Sequence, residues 1–373
     1  MKHPLHTAIL TCLISFGSYV VSFAQTAVTP SPSKEPWSFG VNGYYGALFR
    51  YKSGTEALNF THPVGVELYA NRHTLGKRQW ERTYRYPQIG FAFSYYNYGM
   101  PEELGQALSL TTYLDNSILN FRNSSLRFNL GTGLVYSTRH YTPIENEDNK
   151  AVGSAFTFAL RGTLRYEFPL SEKVYMNLNL AFRHFSNGAL NKPNNGMNFP
   201  MIGMGLRYQP KETLQVAIDD SERLGFDKRV RFNLRAAAGK KEVLYIDQKH
   251  PVYSLSLYAS KQVSHTSTIL VGADGFYNSS LPQEFIKKGV PVPEGNIDPR
   301  MAGITIGHEL HISDLSFVFQ MGRYVYEPNK LYPQHYQRYG LKYNLTEHVS
   351  ANVALLAHAK TAQVIEWGIG LHL

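Results

Sequence analysis

The chain has 373 residues and a formal net charge of +9, with 26 Tyr, 21 Phe, 30 Gly, 17% charged residues and 43% hydrophobic residues. A lone cysteine, Cys12, excludes an internal disulfide or a cysteine metal site, and the basic excess comes without any nucleic-acid-binding module, so no nucleic acid is expected as partner. Beyond the N-terminal segment no apolar run approaches the roughly 18 to 20 residues of a membrane helix, which leaves the closed barrel, with strands of about 9 to 11 alternating residues, as the way through a bilayer.

Lys2, His3 and His6 precede an apolar stretch from about Ala8 to Phe23 and the small-x-small sequence Ser22-Phe23-Ala24. Residues 1–24 therefore read as a secretory signal peptide, and Cys12 would leave with it. Residues 25–36, with Pro30, Pro32 and Pro36 among serines, read as a flexible leader.

From Trp37 onward alternation recurs, in about sixteen candidate strands, of which those around Val66–Ala70 and Leu108–Leu114 are weak. Leu126, Phe128, Leu130, Leu134 and Tyr136 oppose Arg127, Asn129, Gly131 and Gly133; Phe156, Phe158, Leu160, Leu164, Tyr166 and Phe168 oppose Thr157, Arg161, Thr163, Arg165 and Glu167. Farther on, Val230, Phe232, Leu234 and Ala236 oppose Arg229, Arg231, Asn233 and Arg235, and Ile365, Trp367, Ile369, Leu371 and Leu373 end the chain. This pattern predicts an all-β fold, a single transmembrane antiparallel β-barrel over 37–373 with about 14 strands, within 12 to 16. Short turns at 170–172, 265, 313–314 and 346–348 alternate with longer polar loops at 139–153, 188–198 and 281–300, as periplasmic turns and outer loops do. The connection 209–228 is long yet falls on the short-turn side.

One strand carries chemistry. Val174, Met176, Leu178, Leu180 and Phe182 form an apolar, lipid-facing stripe that ends in His184 and Ser186, while Tyr175, Asn177, Asn179, Arg183 and Asn187 face the lumen. The His-x-Ser pattern occurs also at His265/Ser267 and His311/Ser313, but the former lies in a polar turn and the latter shares the polar face. After the Asn187–Met197 hairpin, Asn198 has the parity of the next apolar stripe, Ile202, Met204 and Leu206, and so comes toward His184 and Ser186 near the rim. A serine hydroxyl needs an imidazole to accept its proton, and the imidazole needs a third group to fix its tautomer, a task open to the Asn198 amide oxygen. Amides of Asn187 and Gly188, or the Asn194 side chain, could hold an oxyanion. A base and a hydroxyl turned toward lipid make sense chiefly if the substrate is a lipid.

At His184-Phe185-Ser186-Asn187-Gly188 and Asn194-Asn195-Gly196 the sequence resembles the outer-membrane lipid A 3-O-deacylases (the PagL family), in particular the longer acyloxyacyl-hydrolase-like members. Gly43-Tyr44-Tyr45-Gly46, Tyr86-Pro87-Gln88-Ile89-Gly90 and Pro101-Glu102-Glu103-Leu104-Gly105 also look familial, so the likeness covers about 37–208 and leaves the segment after Lys228 unexplained. The resemblance implies a serine esterase of the cell outer membrane acting on the lipid A of lipopolysaccharide, with Ser186 as nucleophile, His184 as base, Asn194 and nearby amides at the oxyanion, and no cofactor or metal. Where the family pattern has Glu, this chain has Asn198. Outer-membrane phospholipase A is similar in carrying Asn at that spacing, and its resemblance would imply calcium and a homodimer. A third reading is a non-catalytic barrel, an Arg-lined pore or a structural protein with a vestigial site. His358 and Glu366 share the polar parity of the last strands and are expected to form a lumenal polar pair.

Overall fold

A computed structural model describes residues 35–49, 61–210, 225–243, 248–291, 297–359 and 361–373. The expected signal peptide with Cys12, and the expected leader up to residue 34, lie outside these described residues. The alternating stretches form strands β1 (Trp37–Gly46), β2 (Val64–His73), β3 (Gln88–Asn97), β4 (Gln106–Asn120), β5 (Ser125–Ser137), β6 (Phe156–Pro169), β7 (Val174–Ser186) and β8 (Met197–Tyr208). These are followed by β9 (Val230–Glu242), β10 (Lys249–Ser264), β11 (Ser267–Asn278), β12 (Arg300–Ile312), β13 (Leu315–Tyr326), β14 (His335–Asn344), β15 (Val349–His358) and β16 (Thr361–His372). Both weak candidates are full strands, β2 and β4. Among the described residues two short helices, α1 (Gln79–Thr83) and α2 (Leu281–Lys288), sit in connections.

All neighbouring strands pair antiparallel, and the sheet closes twice. β8 returns to β1, with Leu206 opposite Val41, and β16 returns to β9, with Ile369 opposite Ala236. The expectation of one barrel over 37–373 is thus corrected to two barrels of eight strands each. Alternation along a strand is the same whether eight or sixteen strands share one wall, so only the pairing partners of β8 and β9 decide it. The correction also accounts for the long connection 209–228. It joins two closed barrels and is not a hairpin turn.

Outward faces are apolar and exposed, as for Leu110, Leu180, Ile202, Trp367 and Ile369. This is the surface of a membrane-spanning barrel. Inward faces are packed with charge. In the first barrel Glu67 accepts from Arg161 at 2.9 Å and lies 3.5 Å from Arg183; Asp115 pairs with Arg127 at 2.6 Å and Arg165 at 3.4 Å; Glu167 pairs with Arg207 at 2.6 Å. The guanidinium of Arg161 also lies over the Tyr113 ring at 4.3 Å, and that of Arg165 over Tyr69 at 4.7 Å. In the second barrel Arg338 bridges Asp274 and Glu366 at 3.1 and 2.9 Å, Arg235 joins Glu366 at 3.0 Å, and Lys342 holds Glu309 at 2.6 Å. Eight strands leave an interior just wide enough for side chains, and here these ion pairs and their tyrosines fill it. An Arg-lined open pore is not what this packing makes.

His358 and Glu366 do face the lumen, but the expected pairing between them is replaced. His358 bonds Tyr324 Oη through Nε2 at 2.9 Å, while Glu366 sits opposite Ala354, four residues from His358 along β15, and takes Arg235 and Arg338. His311 likewise bonds Thr268 and Ser316, at 2.7 and 2.8 Å.

Removing Glu67 leaves two buried guanidinium groups without their carboxylate, and a broken buried pair typically costs about 3–5 kcal/mol. Glu67→Ala is expected to lose stability on that order in denaturant unfolding of the refolded protein in detergent, whereas a loss below about 1 kcal/mol would show the network to be dispensable.

Candidate active site

Phe185 sets the geometry. It is buried in the first barrel beneath the rim, edge-on to Phe199 at 4.9 Å and to Tyr96 at 5.7 Å. With Arg183 also inward and 2% exposed, the pleat must turn the neighbours His184 and Ser186 outward. They continue the line of Leu178, Leu180 and Phe182 on the outer wall.

Register brings the third residue in. β7 and β8 pair so that His184 lies directly opposite Asn198. Residues so placed have side chains about 5 Å apart on one face, and the His184 Nδ1 to Asn198 Oδ1 distance is 2.7 Å. An amide oxygen can only accept, so Nδ1 carries a proton, which in the neutral ring leaves the lone pair on Nε2.

Ser186 receives two donors. Asn194 Nδ2 donates to its Oγ at 2.9 Å and the Gly188 N–H at 3.2 Å. Of the three residues expected around an oxyanion, Gly188 and Asn194 therefore converge on the hydroxyl, while the Asn187 N–H points to Asn194 Oδ1 at 3.5 Å and orients that amide instead. The Asn187 side chain is a staple within the hairpin and from it to the β5–β6 connection. It donates to Ser154 Oγ at 3.1 Å and to the Asn191 carbonyl at 3.2 Å, and accepts from Ala189 N at 3.1 Å.

Gly196 closes the cluster from behind. Its φ of +76° is in the left-handed region, and a Cβ there would lie 3.2 Å from His184 Cε1 and 3.5 Å from Ser186 Cβ. The imidazole ring and the Ser186 β-carbon thus both lie against Gly196.

Three supports were not singled out from the sequence. The β5–β6 connection runs under the hairpin, where Lys150 and Ala151 carbonyls accept from Asn195 N and Gly196 N, each at 2.9 Å. Phe49 N donates to the Asn198 carbonyl at 2.6 Å. From the second barrel, Glu242 N donates to the Ala189 carbonyl at 3.1 Å and Glu242 Oε2 accepts from Lys192 N at 2.9 Å. Pairings across long loops and between barrels leave no local spacing to read. The remaining His-x-Ser pairs lack the arrangement: His265 Nδ1 accepts from Gln79 Nε2 at 3.0 Å, and Ser313 Oγ points to Asp314.

Fold and geometry together define a membrane-type β-barrel protein that carries a His–Asn pair and a doubly bonded serine on its lipid-facing wall. The profile of the lipid A 3-O-deacylase (PagL) family matches residues 64–207, and that of the acyloxyacyl hydrolase C-terminal domain matches residues 230–373. The chain belongs to this PagL/acyloxyacyl hydrolase family, a family of lipid A deacylases. The second profile begins at the first residue of β9, so the part of the chain that the motif likeness left unexplained is a familial domain of its own. Among solved structures, the outer membrane enzyme PagL aligns at 13% identity over 44% of this chain and 97% of its own, with a TM-score of 0.31. A variant porin of Rh. blastica aligns at 8% over 90% and 100%, with a TM-score of 0.21. The Acinetobacter baumannii outer membrane protein Omp33 does so at 9% over 91% and 99%, with a TM-score of 0.18. No curated protein sequence matches the chain.

Gly196→Ala is expected to strain the hairpin and push on the His184 ring. An alanine forced to positive φ costs more than about 1 kcal/mol, whereas Gly43→Ala, whose Cβ would meet nothing within 4 Å, should be nearly neutral. Comparing the two by denaturant unfolding in detergent checks this; equal stabilities would remove the steric role of Gly196.

Proposed function

We propose that this chain is an outer-membrane serine esterase that hydrolyses an ester-linked acyl chain of lipid A. The observation that carries the reading is the outward orientation of His184, Asn198 and Ser186 on a barrel whose interior is filled. A substrate can reach these groups only along the lipid-facing wall, and lipopolysaccharide is the lipid that family membership points to. The +9 charge suits phosphorylated head groups at the rim, the more so because the lumenal arginines are already paired with carboxylates.

In this mechanism Asn198 holds Nδ1–H, and His184 Nε2 takes the Ser186 proton as Oγ bonds to the ester carbonyl carbon. The carbonyl π pair moves to oxygen, which the Gly188 N–H and the Asn194 amide, both within 3.2 Å of Oγ beforehand, are placed to hold as an oxyanion. Collapse breaks the bond to the lipid oxygen, which leaves with the proton from His184 and strands the acyl group on Ser186. Water then repeats the sequence, deprotonated by His184, and frees the fatty acid while restoring the serine.

Mass spectrometry of lipid A from cells expressing the protein is expected to show loss of an ester-linked acyl chain that Ser186→Ala abolishes, and a chelator should leave the purified activity intact. Identical acylation with both forms would refute the enzyme; chelator-sensitive release from phospholipids would transfer the reading to a calcium-dependent, dimeric phospholipase, which Asn198 favours. For the orienting residue, Asn198→Ala should lower turnover by well over tenfold and Asn198→Glu should keep or raise it. An unchanged rate in the alanine form would take Asn198 out of the mechanism.

A further inference from the structure

The hairpin that carries both oxyanion donors is gripped by the other barrel. Gly188 and Asn194 lie near its two ends, and between them Ala189 and Lys192 are its bonded points of attachment to β9. The Glu242 N–H donates to the Ala189 carbonyl at 3.1 Å, and the Glu242 carboxylate accepts the Lys192 N–H through Oε2 at 2.9 Å. The same oxygen holds Lys249 Nζ at 3.0 Å, and Glu242 is 3% exposed. Its position is fixed by β9, where it pairs opposite Lys249 at the end of the β9–β10 ladder. Packing reinforces the bonds: a Cβ at Gly188, whose φ is +63°, would lie 2.5 Å from Ile365 Cδ1 and 3.4 Å from Leu355 Cδ1, so these side chains of β16 and β15 press on the hairpin at the residue that donates to Ser186. Ile365 has the outward parity of the exposed Trp367 and Ile369, yet is buried, because this hairpin covers it.

We infer that Glu242 is a positioning residue through which the second barrel holds the Gly188 N–H and the Asn194 amide in register with Ser186. The inference rests on the esterase reading and deepens it. An oxyanion hole works by donors held in place before charge develops, and loop donors wander unless something rigid fixes them. In this chain the rigid element is a closed barrel, and a misplacement near 1 Å in such a site can cost on the order of a hundredfold in rate. The second barrel thus acts on the reaction through backbone groups, without touching the substrate.

The test uses the full chain in detergent or lipid with Glu242→Ala, Glu242→Met and Glu242→Gln. Glutamine retains an oxygen able to accept from Lys192 N–H; alanine and methionine do not, and methionine keeps the volume should the alanine form fail to insert. The expected result is a kcat lower by about ten- to a hundredfold in Ala and Met with KM within about twofold, recovery to within a few fold in Gln, and faster amide hydrogen exchange in peptides covering 187–196 in Ala and Met only. Exchange unchanged in Ala and Met would overturn the inference, as would a kcat within about twofold of wild type while Ser186→Ala is dead. Absence of any Ser186-dependent hydrolysis in the wild type would sink the esterase reading and this inference with it, an outcome distinct from the other two.

Discussion

An eight-stranded barrel has no water column inside it, so each charge that points inward must find its partner there. In the first barrel that requirement is met around Glu67, where Arg161 and Arg183 converge, and by Asp115 and Glu167 with their arginines. The consequence reaches the outer wall. A slip of β7 by one residue would exchange its two faces, carrying Arg183 onto the lipid-facing wall and stripping Glu67 of one partner. The lumenal ion pairs therefore fix the parity that turns His184 and Ser186 outward.

From that parity the site follows with few further choices. Direct opposition of His184 and Asn198 across β7 and β8 means that two strand positions, already locked by the sheet, make the orienting hydrogen bond. Only the serine's donors belong to irregular backbone, and these are the groups that the structure ties down most heavily: by the β5–β6 connection beneath, by the Asn187 side chain within, and by β9 of the second barrel alongside. In the proposed mechanism the neutral Asn198 stabilises an imidazolium less than a carboxylate would, but it also places no negative charge beside hydrocarbon. The arrangement thus puts its precision in the sheet and its reinforcement at the hairpin.

The two barrels are bridged at both ends. On the short-turn side Gln79 and Tyr84, in and beside α1, bond His265 and the carbonyl of His311; on the other side Glu242 holds the hairpin. The second barrel, like the first, fills its interior with buried ion pairs, with Arg338 between Asp274 and Glu366 where the first has Arg161 on Glu67. Nothing comparable to the His184–Asn198 pair stands on its described outer wall. Its Ile365 and Leu355 meet the hairpin, so its outer surface serves as a support.

The sequence by itself determined every statement that depends on period two: strands from Trp37 to the end, an apolar outside and a polar inside, and a histidine and a serine left facing lipid while Arg183 and Phe185 face in. It also determined that Asn198 shares their face, because parity survives a hairpin of any length once the next apolar stripe resumes. Tertiary structure alone decided what period two leaves open. Closure into two barrels depends on which strands β1 and β9 accept as last partners, and the pattern along a strand is identical in either case. Partners in the lumen depend on height around the wall, which is why His358 and Glu366 share a face yet bond Tyr324 and two arginines instead of each other. The grip of Glu242 on the hairpin joins residues about fifty apart through backbone atoms, and a backbone donor leaves no mark on the identity of the residue that carries it.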